Sequence, residues 1–402
     1  MSNQTSAGFD SPRAWMVVVA AFIGAFVTFG ITYSFGVFLK PMAMEFHVNH
    51  AAMSALFATI TALSFFAAPL TGELADRFGA RPVVACGAVL IASGLVLTSH
   101  IYRFPFMFVS YGVGLGGALA CTYIPSIATV GEWFKKRRDI ALGIAISGIG
   151  CGTLVVAPLS AMLIERYGWR TAFEIFGWSG GALLLLCAGL LISPPAVEKK
   201  KVDIAPKLCT RAFLLQFTCL LFAGIAVYVS FVFLPVYATE IGVSRVAGAA
   251  LVGYIGASSV LGRLGLNALA PRFGLIGMYQ FAYLILLLSF ASWLTAHSYA
   301  SLVIFALVMG VGYGGIAAMA PAVAASVFGI EGLGELLGIL FIGFGVACLI
   351  GPPAAGILVD HLHDYRWPVF LAAGGAVLGL LFAIPLRRYG ARRRSALSAA
   401  AD

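Results

Sequence analysis

The segment YIGASSVLGRLGLNALA, residues 254–270, contains one charged side chain, Arg263, among apolar and small residues. An arginine inside a membrane costs roughly 2.5–3.5 kcal/mol on insertion scales, so such a residue normally faces a cavity or a partner. A guanidinium offers two parallel N–H donors that fit one carboxylate. Arg263 therefore predicts the binding of a carboxylate, and the alternative is a side chain that extends to the lipid headgroups.

A permanent acidic partner would be another explanation of Arg263, and the positions of the acids argue against it. No acid lies at the middle of a predicted membrane segment. Acids at or near the ends of those segments include Glu73, Asp76, Glu165, Glu174, Glu240 and Asp360. One cation neutralises one anion, which favours a monocarboxylate ligand over a dicarboxylate, for which a second cation is expected.

Weaker candidates for the same site are polar and aromatic side chains inside other apolar segments: Tyr33, Tyr123, Ser259, Tyr313, Phe344 and Cys348. Phenol groups at membrane depth can hydrogen-bond a carboxylate, or they can be satisfied by packing alone. The serine precedes the arginine by one helical turn. The phenylalanine and the cysteine, at helical spacing, can form a wall that limits ligand size, or can simply pack against another helix.

The composition indicates that these residues lie in membrane-spanning segments. Of the 402 residues, 61% are hydrophobic and 10% are charged, which is typical of an integral membrane protein. Apolar stretches of 18 or more residues predict membrane-spanning helices. There are twelve, at 14–39, 52–74, 81–100, 104–131, 139–164, 170–193, 211–239, 245–269, 274–296, 300–327, 334–359 and 367–387. The first of them is too long for a signal peptide.

The net charge of +9 is explained by topology better than by nucleic-acid binding. With twelve spans and both termini on one side, that side holds eighteen Lys and Arg residues and the other side six. Because cytoplasmic loops are enriched in Lys and Arg, both termini are predicted to be cytoplasmic. The expected location is the plasma membrane. The short polar tails predict a monomer, with the lipid bilayer as its surroundings.

The two halves of the chain resemble each other. GVGLGG at 112–117 recurs as GVGYGG at 310–315, Trp169 recurs as Trp367, and GELADRFG at 72–79 returns as NALAPRFG at 267–274. A polar linker at 193–211 separates residues 1–192 from residues 212–402. We therefore predict an all-α protein of two six-helix bundles related by a pseudo-two-fold axis, around a site at mid-membrane.

The loop GELADRFGAR, residues 72–81, resembles the motif that the major facilitator superfamily carries between its second and third helices. Asp76, Arg77 and Arg81 match that motif. The turn is expected to begin a helix, with the acid near the amides of that helix and the arginines paired with acids of a neighbouring helix. These residues are predicted to form a cytoplasmic gate, and the alternative is a positively charged loop without a moving part.

A narrower resemblance lies in WFKKRRDIALGIAISGIGCG, residues 133–152, which is similar to the fifth-helix signature of the monocarboxylate transporter family. Arg137 and Arg138 match its basic cluster and are added to the predicted gate. Small residues at 141, 145, 148 and 152 share one helix face and would admit another helix at close range. The first-helix signature is only partly present, in DSPRAW at 10–15.

The resemblance implies a transporter that carries lactate or pyruvate together with a proton. The same resemblance implies a bacterial member of the family, located in the cell inner membrane. It also implies that Arg263 binds the substrate carboxylate. Many members have Lys and Asp where this chain has Tyr33 and Ser259, so the proton relay differs here. The alternatives are an anion exchanger of the oxalate/formate type, which carries a Lys in its eleventh helix, and a polytopic receptor without transport.

Other chemistry is not indicated by the sequence. The seven cysteines show no CxxC spacing, and the six histidines fall in or beside predicted outer loops. The run DHLHD at 360–364 offers too few converging ligands for a zinc site. No phosphate-binding GxxxxGK[ST], HExxH or GxSxG motif is present. We therefore expect neither an enzyme nor a cofactor.

Overall fold

The computed structural model describes residues 11–134, 137–192, 204–329 and 332–389, and these residues form helices without a strand. Most of the predicted linker, residues 193–203, lies outside the described residues. Within its last part, Ala205–Leu208 form one helical turn.

We number the long helices α1 to α12 in chain order. The first six are Pro12–Tyr33 continuing as Phe35–Phe46 (α1), His50–Phe66 continuing as Ala68–Phe78 (α2), Ala80–Ser99 (α3), Gly114–Trp133 after a π turn at Phe108–Val113 (α4), and the parts 138–167 (α5) and 169–190 (α6) of Arg138–Leu190. The second six are Arg211–Glu240 (α7), Arg245–Leu261 continuing through a π turn at Gly262–Leu266 into Asn267–Phe273 (α8), Leu275–Leu294 (α9), Tyr299–Phe328 (α10), Leu333–Leu362 (α11) and Arg366–Ala383 (α12).

By length and composition, ten helices of the described residues can cross a membrane, or eleven if the bent pair in α2 is one span. Arg138–Leu190 has 53 residues and contains Gly168 in a non-helical conformation (φ 82°, ψ 162°). A single helix of that length would measure about 80 Å, against a hydrocarbon layer of about 30 Å. Its two parts, counted separately, account for the predicted number of twelve, which stays a prediction.

Two predicted spans are interrupted in the structure. The predicted span 14–39 extends to Phe46 and is broken at Ser34. The predicted span 52–74 bends by 43° at Ala67. Pro69, two residues later, explains this bend, because proline lacks an N–H and its ring clashes with the carbonyl one turn earlier.

The repeated Arg-Phe-Gly sequence forms the same turn in both halves. Gly79 connects α2 to α3 and Gly274 connects α8 to α9, both with φ 88°. That region of the Ramachandran map is open to glycine and costs other residues free energy. The sequence interpretation of Asp76 as a residue at the start of a helix is wrong, because Asp76 lies in the last turn of α2.

The two halves, α1–α6 and α7–α12, meet along two equivalent interfaces. One is α2 against α11 and the other is α8 against α5, while α1 faces α7. Exchange of the halves converts the first interface into the second. This exchange is the pseudo-two-fold relation that the sequence repeats predict, and the all-helical two-bundle fold is confirmed.

The small residues of α5 form the contact that their spacing predicts. Side-chain carbons at Gly148 and Gly152 would collide with the carbonyl oxygens of Phe22 and Phe26 in α1. Only glycine allows this approach, which is the reason for small residues at helix contacts in membranes. The other face of α5 touches α8, where Gly150 lies against the Gly256 carbonyl.

Candidate functional site

Arg263 is buried at the interface between α8 and α5, with 7% of its surface exposed. Its Nη1 donates a hydrogen bond of 3.0 Å to the carbonyl oxygen of Ile146 in α5, which belongs to the other half. Its Nε has no hydrogen-bond partner among the described residues. Among those residues no carboxylate forms an ion pair with it. The guanidinium is therefore directed into the protein, and not to the headgroups as in the alternative interpretation.

The backbone around Arg263 is a π turn, Gly262–Leu266, inserted into α8. Such turns are rare and frequently occur at functional sites. Gly262 lies against the Val311 carbonyl of α10 so closely that a side chain at 262 would collide with it. Two residues further along α10, the ring of Tyr313 has its centre 5.8 Å from the Arg263 guanidinium carbon. A cation over an aromatic face is attracted by about 0.5–2 kcal/mol.

Tyr33 joins this pair through an aromatic contact between the halves. Its ring, on α1, stacks on Phe231 of α7 at 4.3 Å and 16°. The edge of Phe231 in turn meets Tyr313 at 6.0 Å and 83°. The Tyr33 hydroxyl is close enough to Tyr313 and Arg263 to interact electrostatically with both.

Tyr123 belongs to the same cluster and comes from α4. It interacts electrostatically with Arg263 and Tyr313, and its ring packs edge-on against Phe29 of α1 at 4.9 Å. Four of the predicted residues are thus brought together from α1, α4, α8 and α10. We call this group the central cluster: Tyr33, Tyr123, Arg263 and Tyr313.

Phe344 and Cys348 lie in a neighbouring layer on α11. The ring of Phe344 is 6.0 Å from Phe65 of α2 and 6.3 Å from Tyr228 of α7. Cys348 is fully buried and interacts with Tyr228 and with Thr61. Both residues therefore adjoin the central cluster through Tyr228.

Ser259 is placed differently from the other candidates. Its Oγ donates a hydrogen bond of 2.7 Å to the carbonyl of Gly256 one turn earlier. Its own carbonyl lies against Gly314 of α10. These contacts give Ser259 a packing role between α8 and α10.

Tyr228 and the Ile146 carbonyl were not predicted from the sequence. The Tyr228 ring is 6.5 Å from Tyr33, and its hydroxyl interacts with Tyr33 and Tyr313. The signal for Tyr228 was available, because it is a phenol in the middle of an apolar segment, like the three tyrosines that were chosen. A backbone carbonyl carries no such signal.

The predicted gate residues lie at the end of the molecule where α1 begins and α12 ends, and all five are exposed. Arg77 lies over the ring of Phe78, its neighbour in sequence, at 5.5 Å. Arg81 is in the first turn of α3. Arg137 precedes α5, and Arg138 lies against Gly131 of α4.

The first-helix and fifth-helix signatures of the family meet at this same end. The ring of Trp15, from the first-helix signature, packs edge-on against Phe134, from the fifth-helix signature, at 5.0 Å. Trp133 donates a hydrogen bond of 2.9 Å to the carbonyl of Ile192. Lys135 and Lys136, between these elements, lie outside the described residues.

The described residues contain no group of three or more potential metal ligands. In the DHLHD run, Asp360 is hydrogen-bonded to His50 of the other half at 2.9 Å, and His363 adopts a left-handed conformation that ends α11.

Comparison with known proteins assigns the fold and the family. The family model of the Major Facilitator Superfamily matches residues 21–299 and 278–401. A solved structure of a bacterial homolog to the human lysosomal transporter Spinster, inward-facing and occupied, superposes with a TM-score of 0.75 at 14% identity and covers 96% of this chain and 99% of its own. The inward-facing, unoccupied form gives 0.69.

Relatives at higher identity are monocarboxylate transporters. Monocarboxylate transporter 3 of Rattus norvegicus is 30% identical over 396 residues, which cover 93% of this chain and 79% of that protein. Monocarboxylate transporter 13 of Rattus norvegicus is 28% identical over 387 residues, with 94% and 90% covered. The chain is a membrane transporter and not an enzyme, and it belongs to the major facilitator superfamily and, within it, to the monocarboxylate transporter family.

Proposed function

We propose that this protein carries small monocarboxylates of the lactate and pyruvate type across the plasma membrane together with a proton. The observation that carries the proposal is Arg263, a buried guanidinium whose Nε has no partner among the described residues and which no carboxylate of those residues neutralises. The names of the relatives support the substrate class.

In this proposal the substrate carboxylate replaces the Ile146 carbonyl as the acceptor of the hydrogen bond that the Arg263 guanidinium donates. A backbone carbonyl is neutral, whereas a carboxylate accepts two charge-assisted hydrogen bonds that are about twice as strong as neutral ones. The Tyr313 ring supports the cation, and the phenols of Tyr33 and Tyr123 are placed to donate to the carboxylate or to a hydroxyl of the substrate. Phe344 and Cys348 would limit the size of its apolar part.

Proton coupling in this chain must work without the ionisable pair that many relatives carry, since those positions are Tyr33 and Ser259. We propose that the anion leaves Arg263 only after a proton neutralises it. Carboxylic acids have pKa values near 4, so either water or the substrate itself can carry that proton. Uptake at equal rates with and without an inward proton gradient would contradict this coupling.

Alternating access would be a rocking of residues 1–192 against 212–402 about the central cluster. The two equivalent interfaces between the halves support this motion. The ion pair Lys40–Glu240, at 3.0 Å, and the contact His50–Asp360 join the halves at the end opposite to the start of α1 and the end of α12. With both termini cytoplasmic, that end is the outer one, and the conformation is closed to the outside.

An exchanger of the oxalate/formate type is less well supported. A dianion requires a second cation near Arg263, and α11, where that type carries its Lys, contains no Lys or Arg over Leu333–Leu362. Nothing in the fold favours a receptor.

The test is lactate uptake into proteoliposomes with an imposed inward proton gradient. We expect gradient-stimulated uptake for the wild type and background uptake for Arg263→Ala. Arg272→Ala is the matched control, because Arg272 lies at the end of the same helix and is exposed. Equal uptake by wild type and by correctly folded Arg263→Ala would refute the proposed site. Thermal stabilisation by lactate without flux would favour the receptor.

A further inference from the structure

Asp360 connects the two halves at the end of the molecule opposite to the start of α1 and the end of α12. Its carboxylate, in the last turn of α11, accepts hydrogen bonds from the backbone N–H groups of His50 and Ala51 at 3.0 and 2.9 Å. These two amides begin α2, in the other half. Close packing accompanies the bonds, because Gly356 of α11 is so near the backbone of Ala51 that a side-chain carbon at 356 would lie 2.6 Å from its Cα.

These bonds complete the start of α2. The first four amides of a helix have no partner within the helix. Here Ala52 and Met53 are satisfied locally, by the side chain and the carbonyl of Asn49, while the first two depend on Asp360. Separation of α2 from α11 therefore exposes two amides and a carboxylate to water at the same time.

The ring of His50 occupies the same contact. Its Nδ1 is 2.9 Å from Oδ1 of Asp360, and its Nε2 is 2.9 Å from the hydroxyl of Tyr365. Only 28% of the His50 side chain and 17% of the Asp360 side chain are exposed. Burial raises the pKa of Tyr365 to about 12, so the phenol keeps its proton at neutral pH.

Both protonation states of His50 fit these partners. In the neutral form Nδ1–H donates to Asp360, and Nε2 accepts from Tyr365. In the protonated form Nε2–H donates to the Tyr365 oxygen instead, because a phenol is both donor and acceptor. No contact is lost on protonation, and the hydrogen bond from a neutral imidazole to the Asp360 carboxylate becomes an ion pair.

The arrangement is not dictated by the fold. The offset of 198 residues that relates Trp169 to Trp367 places Met162 in the position equivalent to Asp360. The other interface, α8 against α5, therefore has no carboxylate there.

The charged groups around the site come from every neighbouring element. Lys40 of α1 and Glu240 of α7 pair with each other at 3.0 Å. Asp364, on the α11–α12 connection, accepts from the backbone N–H of Arg366. Three further histidines are exposed: His47 at the end of α1, and His361 and His363 at the end of α11. Glu240 and Asp360 act on Tyr365.

We propose that His50, Asp360 and Tyr365 form a proton-binding clasp that holds this end of the transporter closed more tightly when His50 is protonated. Imidazole is the side chain whose ordinary titration falls between pH 5 and 8. Protonation adds the attraction between opposite charges to a hydrogen bond whose acceptor, the Asp360 carboxylate, is already charged. Acid on this side thus favours the closed conformation. The clasp lies away from the central cluster and does not depend on the identity of the substrate.

The experiment is hydrogen–deuterium exchange with mass spectrometry on the full chain in lipid nanodiscs, without substrate. The reporter is the peptide that covers residues 48–54, whose first helical amides are held by Asp360. Protection factors are compared at pH 6 and pH 8 after correction for the intrinsic exchange rate. The variants are His50→Gln, which cannot titrate, and Lys40→Gln, which removes the Lys40–Glu240 ion pair between the halves without touching the clasp.

We expect the protection of this segment in the wild type to rise about fivefold from pH 8 to pH 6. Lys40→Gln should keep that response, and His50→Gln should lose it. Protection in the wild type that is the same within twofold at both pH values would overturn the proposal, and this holds even if a variant fails to fold. A full pH response in folded His50→Gln would also overturn it, because the response would then arise from other groups.

Discussion

Each half contains the same close contact, in which a glycine of one helix packs against a backbone carbonyl of another helix. In the first half, Gly116 of α4 lies against the Ile60 carbonyl of α2, and in the second half Gly314 of α10 lies against the Ser259 carbonyl of α8. Four residues further along the second helix of each pair, the halves differ. The first half has Ser64 and the second half has Arg263.

Ser64 is satisfied within its own helix, since its Oγ donates to the Thr61 carbonyl at 2.6 Å. Arg263 instead reaches across to α5 and over Tyr313, and Leu115 is the residue that matches Tyr313 in the first half. The two substitutions that break the repeat thus touch each other. The comparison indicates that a common scaffold was kept in both halves and that the charge chemistry was placed in one of them.

The largest effect on uptake is expected when Arg263 of the second half is replaced by serine, the residue at the equivalent position of the first half. Arg263→Ser removes the only cation of the central cluster, and we expect lactate uptake to fall at least about 100-fold, which corresponds to about 2.8 kcal/mol. Stability should not fall, because a buried charge without an ionic partner is removed. Uptake and the thermal unfolding midpoint are the measurements. Ser64→Ala, the matched change, should stay within about twofold, and a comparable loss there would refute the comparison.

The shared glycine contact allows stability and transport to be separated. Gly116→Ala and Gly314→Ala each place a methyl group against a carbonyl, and such overpacking costs typically about 1–3 kcal/mol. Both should lower the unfolding midpoint by a few degrees. Only Gly314→Ala displaces the helix that carries Arg263, so we expect an additional loss of uptake of about tenfold. Gly277→Ala, where no atom lies within 4 Å, is the control. Equal uptake by the two clashing variants would show that α8 tolerates displacement.

A smaller effect is expected from Tyr313→Leu, which copies Leu115. Loss of the ring beneath the guanidinium removes about 0.5–2 kcal/mol of cation–π attraction. The concentration for half-maximal uptake should rise about fivefold, and the maximal rate should change little. Tyr313→Phe retains the ring and should show less than half of that rise. If both variants behave alike, the hydroxyl and not the ring is the important group.

Ser259→Ala should have the smallest effect, within about twofold on uptake. Its hydroxyl is already bonded to the Gly256 carbonyl at 2.7 Å, and loss of such a local bond leaves no buried donor unpaired. Initial uptake rates measured beside those of Arg263→Ser test this expectation. A tenfold loss would return Ser259 to the substrate site.

Part of this arrangement could be read from the sequence. The two Arg-Phe-Gly turns, the small face of α5 and the burial of Arg263 all follow from residue types at known spacings. Tyr33, Tyr123 and Tyr313 could be proposed from the sequence, because each is a phenol inside an apolar span and the two halves are predicted to face each other. The bend at Ala67 was also readable, since Pro69 marks it.

Other features depend on packing that spacing does not show. The π turn at Gly262–Leu266 adds a residue to α8 without a sequence signal and changes which way Arg263 points. The motif at 72–81 predicts Asp76 at the start of a helix, whereas α2 continues through it and ends only at Phe78. Tyr228 was overlooked although the rule that selected the other tyrosines applies to it.

The lack of a carboxylate beside Arg263 among the described residues has an electrical consequence. In the proposed cycle, the empty transporter holds one uncompensated positive charge at its centre, and a bound monoanion cancels it. A charge that crosses the whole membrane field is worth about 2.3 kcal/mol per 100 mV. The proton that travels with the monoanion restores this charge, so the loaded and the empty transporter present the same single charge to the membrane voltage. The voltage therefore acts on both half-cycles alike, and the proposed full cycle moves no net charge across the membrane.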